Sequence, residues 1–197
     1  MPYLTPRQRR RLELLVAEVP LPSLWFESRT DAPFTACSHC GQPFTPAVDH
    51  LIEKMLVHGD VIYEFALCTT CTGGLQHQLS VDSRQTVRDW FDEHVPMGQR
   101  INALATREDR RPESWTERCL VTGLAAEDLD AYTLVGHARG GKLQLGALPY
   151  LISAQCLEDL QEQLSEETRE SRDRFLERYL GLPSQGKDAL AELAVLV

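Results

Sequence analysis

Cys37-Ser38-His39-Cys40-Gly41 and, further along, Cys68-Thr69-Thr70-Cys71 decide how this chain is read. Each is a C-x-x-C pair, and 27 residues separate Cys40 from Cys68. A C-x-x-C turn aims two sulfurs at one point, and two such turns close a tetrahedron around a soft divalent ion. Zinc is the ion expected, with metal–sulfur distances of about 2.3 Å. Four thiolates leave no position open for water or substrate. The expected role of Cys37, Cys40, Cys68 and Cys71 is therefore structural, with one ion per chain and no catalytic residue. The bland alternatives are unrelated buried cysteines or a redox-active C-x-x-C pair.

Between the two pairs lie Pro43 and Pro46, then two apolar runs, Asp49 to Val57 and Val61 to Leu67, around His58-Gly59-Asp60. Gly59 supplies turn freedom, and Val61, Ile62, Tyr63 and Phe65 favour strand. A β-hairpin is expected. Val48, Leu51, Ile52, Met55 and Leu56 also fit helical spacing, which keeps a helix open as the alternative. Cys68 should end the second strand. Cys71 should open a helix carrying Leu75 and Leu79, and a second helix should run from Ser83 to His94. Knuckle, hairpin and a helix bearing the last two ligands resemble a treble-clef zinc finger over about residues 37–79. That resemblance implies a fold element, not a function. Cys68 and Cys71 at a helix start would have their thiolates favoured by free N–H groups and the helix dipole.

Leu75-Gln-His-Gln-Leu-Ser80 returns as Leu160-Gln-Glu-Gln-Leu-Ser165, with five of six residues matching at an offset of 85. At the same offset Cys71 meets Cys156, and Arg84 meets Arg169. At an offset of 82, Cys37 meets Cys119, Gly41 meets Gly123 and Gly59 meets Gly141. We read an internal duplication with three residues inserted between Gly141 and Leu148. The competing reading is two amphipathic helices that share Leu, Gln and Ser by composition. The second copy keeps only Cys119 and Cys156, because Thr122 stands for Cys40 and Ser153 for Cys68. No metal is expected there. The two remaining thiols should lie close together, reduced or oxidised. Strands are expected at Tyr132 to Ala138 and Lys142 to Leu148, and helices at Leu157 to Leu164 and Glu167 to Leu180.

The N-terminal segment suggests a helix from Thr5-Pro6 to Val19, stopped by Pro20 and Pro22. Trp25, Phe26 and Phe34 should pack on the metal module. Residues 1–11 are polar and basic with no apolar run behind them, unlike a secretory signal. Six cysteines then fit reduced thiols in a cytoplasm. No apolar run approaches the roughly 18 residues of a membrane span. A net charge of −9 argues against a general nucleic-acid binder.

The fold class expected is α+β: two treble-clef-like repeats, each followed by a further helix, behind an N-terminal helix. The divisions are residues 1–36 (helix and aromatic loop), 37–98 (zinc-binding repeat), 99–118 (charged, solvated connector), 119–183 (metal-free repeat) and 184–197 (apolar tail). The function expected is a zinc-stabilised adaptor or accessory protein, without catalysis, that binds another protein. Two alternatives stand beside it. One is a nucleic-acid-processing protein similar to HNH nucleases, on the strength of Asp49-His50 nine residues beyond Cys40. That pattern is incomplete, since Thr72 stands where a His or Asn often follows the last Cys. The other is a thiol–zinc redox sensor. No P-loop, Rossmann or G-x-S-x-G motif is present. Partner, pathway and oligomeric state are not written in the sequence.

Overall fold

A computed structural model describes residues 17–106 and 111–180. It opens on a short strand, β1 (Ala17–Pro20), where the end of a helix was expected. Val19 is β-branched, and Pro20 and Pro22 cannot continue a helix. Backbone pairing with a later strand, from Ala17↔Leu145 to Pro20↔Lys142, satisfies the segment instead. The rest of the expected N-terminal helix and the apolar tail lie outside the described residues.

The apolar runs after Pro46 form strands, not a helix: β2 (His50–Val57) and β3 (Asp60–Cys68). His58 and Gly59 both have positive φ, 49° and 89°, the tight turn that matches strand twist. Four helices follow: α1 (Thr69–Gln78), α2 (Val81–His94), α3 (Met97–Thr106) and the single turn α4 (Glu113–Thr116). A second set of strands then runs β4 (Ala131–Arg139), β5 (Lys142–Leu145) and β6 (Tyr150–Ser153), followed by α5 (Ala154–Gln161) and α6 (Glu166–Leu180). The fold is mixed α+β around one six-stranded antiparallel sheet of order β1-β5-β4-β2-β3, with β6 also on β4. A strand was expected from Lys142 to Leu148; it ends at Leu145, and a further strand, not expected, starts at Tyr150. The chain breaks between them at Gly146 to Pro149, where proline offers no N–H to a ladder and Gly146 N–H turns back to Leu148 O at 2.6 Å.

Two registers repeat. Against β2, β3 pairs His50↔Cys68 through Glu53↔Phe65. Against β4, β6 pairs Tyr132↔Ser153 through Val135↔Tyr150. The second set is the first moved by 82 on one strand and 85 on the other. β2 and β4 pair with each other from His50↔Ala138 to Val57↔Ala131, which sets Glu53 opposite Val135, its own counterpart at offset 82.

The helices meet in the same reciprocal way. Ser80 caps α2 by accepting from Ser83 N–H, and Ser165 accepts from Thr168 N–H at the start of α6. The two hydroxyls touch at 3.0 Å. Ser80 N–H donates to Thr168 Oγ1, and Ser165 N–H donates to Ser83 Oγ.

The aromatic loop meets the metal-bearing repeat through Phe26 and Ser28, but its largest ring packs on the other half. Trp25 is buried against β4, where Gly136 leaves room for its ring. Lys54 occupies the position on β2 that corresponds to Gly136. Its buried ammonium reaches Phe26 O, Ser28 Oγ and Glu64 at 2.8 Å. One short segment therefore grips both central strands. The charged connector is not solvated throughout either. Ile101 and Trp115 are buried, and Arg100 donates to the carbonyls of Trp115, Ala147 and Pro149. Burial lowers its pKa to about 10.

Two expectations follow. A Cβ on Gly136 would sit 2.5 Å from Trp25 Cζ3. Gly136→Ala should therefore lower unfolding free energy by about 1–3 kcal/mol in denaturant melts, although alanine is ordinarily the better strand residue; an unchanged midpoint would contradict this packing. Ser80→Ala and Ser165→Ala should each cost about 1 kcal/mol. Because the hydroxyls share partners, the double variant should depart from additivity by at least about 0.5 kcal/mol, and strict additivity would contradict the shared cluster.

Candidate metal centre

The first C-x-x-C lies in a turn that Gly41 makes possible. Gly41 has φ 73°, and its N–H returns to Cys37 O at 2.8 Å, while Cys37 N–H reaches Gln42 O. Ser38 fastens this turn to β3: its N–H donates to Ala66 O and its hydroxyl accepts from Ala66 N–H. Cys68 is the last residue of β3 and the cap of α1, and Cys71 stands in the first helical turn. The hairpin thus carries Cys68 across to the knuckle, and the helix start turns Cys71 back toward it.

All four sulfurs lie within 4.8 Å of one another, and Cys40 Sγ is 3.9 Å from Cys68 Sγ. A tetrahedral ion with metal–sulfur distances of about 2.3 Å requires sulfur–sulfur edges of ~3.8 Å. The donor set fits such an ion with small adjustments. Cys37, Cys40, Cys68 and Cys71 could hold a metal. Among the described residues this is the only group of three or more His, Cys, Asp or Glu side chains that converge closely enough to do so.

At the helix start the N–H of Cys71 favours the Cys68 thiolate, but burial outweighs it. Burial pushes both Cys68 and Cys71 up, and for Cys71 the neighbouring thiols add to the effect. Cys37 is the thiol that comes down, to about 7. Its burial opposes ionisation, but the N–H groups of Cys40, Cys68 and His39 outweigh it; Cys68 N–H lies 3.4 Å from Cys37 Sγ. A divalent ion entering this site displaces protons from it.

His39 was expected to point outward. It folds over the site instead, with Nδ1 3.4 Å from Cys71 Sγ and its ring stacked on Phe175 of α6. Phe175 also meets Phe65 edge-on. Neither Ser38 nor Phe175 carries a sequence signal for this role. Only the proximity of His39 to two ligands hinted at it.

A second knuckle, at Cys119 to Leu124, has the same local geometry. Gly123 has φ 70°, its N–H bonds Cys119 O, and Cys119 N–H bonds Leu124 O. Leu120 N–H donates to Leu151 O as Ser38 N–H does to Ala66 O. Ser153 N–H lies 3.4 Å from Cys119 Sγ, matching Cys68 N–H on Cys37. Cys119 and Cys156 are both buried and free.

Asp49 and His50 diverge. His50 is buried, stacked on Phe44 with centroids 3.9 Å apart, and its Nδ1 lies 3.2 Å from Val48 O. Burial, helped by the charge of His137, lowers its pKa. Asp49 instead pairs with His137 Nε2 at 2.9 Å. A cleft of about 370 Å³ opens beside His50, walled by Phe34, Phe44, Pro46 and Gly140. Among the described residues no helix is long and apolar enough to cross a membrane.

No family model matches the chain, and neither a curated protein nor a solved structure matches it.

Metal analysis of the purified chain should find one ion. Cys71→Ser should lose it, while Cys119→Ser keeps it, and removing the ion with a chelator should lower the melting temperature. Two ions per chain, or an unchanged melt after complete metal removal, would contradict this assignment.

Proposed function

We propose that this protein is a zinc-stabilised interaction scaffold built from two copies of one treble-clef-like unit, of which the first alone keeps its ion. The observation that carries this reading is the closed four-sulfur cluster, which leaves the metal nothing to do but hold structure. Zinc is the assignment because four thiolates in tetrahedral array suit it, and an ion without redox chemistry suits a structural role. The duplication draws support from the pairing of Glu53 with Val135 and from the reciprocal contacts of Ser80, Ser83, Ser165 and Thr168. A chance match of Leu and Gln on two helices would not set the strand register as well.

The work proposed is binding another protein. Ile62 on the edge strand β3, Val81 at the start of α2, and Leu24 and Leu124 in loops are large apolar side chains left exposed. Scattered exposed residues are ordinary, so they supply variants for a test and not an interface already drawn. The nuclease alternative loses ground on geometry. His50 is buried against Phe44, Asp49 is engaged by His137, and neither joins a metal-holding group among the described residues.

Affinity capture with the tagged chain should return a stoichiometric protein partner that Ile62→Glu or Val81→Glu releases and His50→Ala does not. Gel-shift and cleavage assays at low salt with magnesium or manganese should show neither nucleic-acid binding nor cutting. Cleavage abolished by His50→Ala would overturn the reading in favour of the nuclease.

A further inference from the structure

We infer that the cleft beside His50 is a binding site for a small, flat, uncharged molecule that carries one N–H or O–H donor on an aromatic ring, the class to which indole and phenol belong. This goes beyond the scaffold reading and does not depend on it. It rests on one ring edge that the fold leaves without a partner.

His50 Nδ1 lies 3.2 Å from Val48 O, and a carbonyl oxygen only accepts, so Nδ1 carries the ring proton. Nε2 is then the acceptor nitrogen. It has no hydrogen-bond partner among the described residues, yet it is not sealed from solvent. The residue as a whole is only 6% exposed, Phe44 covers one face of its ring, and the ring lines the cleft. Nε2 therefore opens on the cleft. Burial, which lowers the His50 pKa, keeps the ring uncharged and this lone pair available at neutral pH.

The walls select for the same chemistry. The cleft holds about 370 Å³, at the low end of the roughly 300–1,000 Å³ typical of ligand pockets, so it suits one ring or two fused rings. Leu21 and Ala138, both buried, give it an apolar floor, and Phe34 and Phe44 offer aromatic sides for a ring to pack on. No charged side chain lines it, so an ionised group would lose its hydration there with nothing to replace it. Asp49, the residue before His50, is held by His137 at 2.9 Å. A metal ion fits no better, since no Cys, Asp or Glu joins His50 in a metal-holding group among the described residues.

Both halves of the molecule build the cleft, and backbone contacts fix its shape. Phe44 N–H donates to Thr35 O at 2.8 Å, and Leu21 N–H donates to Gly141 O at 3.0 Å. The turn at Gly140 sits so close to Pro46 that a Cβ there would lie 3.2 Å from Pro46 O. A site held in this way needs little rearrangement on binding.

The test titrates the full metal-loaded chain, carrying nitrogen-15 in its histidines, with indole, N-methylindole and indoleacetate. Indole should saturate one site per chain and shift the His50 Nε2 resonance. N-methylindole has the same rings without the donor, and indoleacetate adds a charge; each should bind at least about tenfold more weakly. His50→Phe keeps a ring against Phe44 but removes the acceptor. It should bind indole as weakly as the wild type binds N-methylindole and no longer tell the two apart. The inference is overturned if indole does not saturate, if N-methylindole binds as well as indole, or if indole leaves His50 Nε2 unmoved. N-acetyltryptophanamide, the same ring carried on a peptide, should bind no better than indole; tighter binding would give the site to a partner's side chain and overturn the small-molecule assignment. The wild-type comparison of indole with N-methylindole stands even if His50→Phe fails to fold.

Discussion

The antiparallel pairing of β2 with β4 is the contact on which everything else in this molecule depends. Each strand also carries its own hairpin partner, so β2–β4 turns two small sheets into one. A two-stranded hairpin alone is marginal in water, and joining the two satisfies the inner backbone groups of both. The pairing also fixes where the side chains go. It brings Asp49 to His137, sets buried Glu53 beside Val135, and places Lys54 and Gly136 where residues 25 to 28 lie across both strands. A slip of one residue would turn Ile52, Leu56 and Leu134 to the opposite face and leave Trp25 without its recess.

The two halves solve one local problem with different chemistry. Each has a knuckle that must be held to the end of a strand and the start of a helix. In the first half four cysteine sulfurs converge there. In the second, the Ser153 hydroxyl caps α5 and its N–H lies 3.4 Å from Cys119 Sγ, so hydrogen bonds tie the knuckle to strand and helix where the first half could hold an ion. Both halves are packed in apolar surroundings: Leu151, Ile152, Leu157 and Leu160 are enclosed in the second, as Ile52, Met55 and Leu67 are in the first, and Trp25 covers β4 at Gly136. Small modules rarely hold together without a staple. Here the strand pairing of β2 with β4 buries each half against the other.

Much of this was legible because it rests on local chemistry. The spacing of Cys37, Cys40, Cys68 and Cys71 gave the cluster, β-branched residues around Gly59 gave the hairpin, and the repeated Leu-Gln-x-Gln-Leu-Ser pattern pointed to helices that meet through Ser80 and Ser165. What the sequence hid depends on distant partners. Ala17 to Pro20 form a strand only because β5 offers an edge. Trp25 needs Gly136, more than a hundred positions away. His39 turns inward because Cys71 and Phe175 are there to receive it. Charge in residues 99–118 suggested solvent, yet Arg100 is drawn in by three carbonyls that no local rule supplies. The thiol pKa order was also hidden, since Cys37 collects N–H donors from both sides of the cluster.

Zinc K-edge absorption on the metal-replete chain tests the central claim most directly. One closed ion held by Cys37, Cys40, Cys68 and Cys71 requires a single shell of four sulfurs at about 2.3 Å. A nitrogen in that shell would make His39 a ligand and the site a different one. A mean shell of mixed sulfur and oxygen would mean that Cys119 and Cys156 also hold metal, and would contradict the division of labour between the two halves.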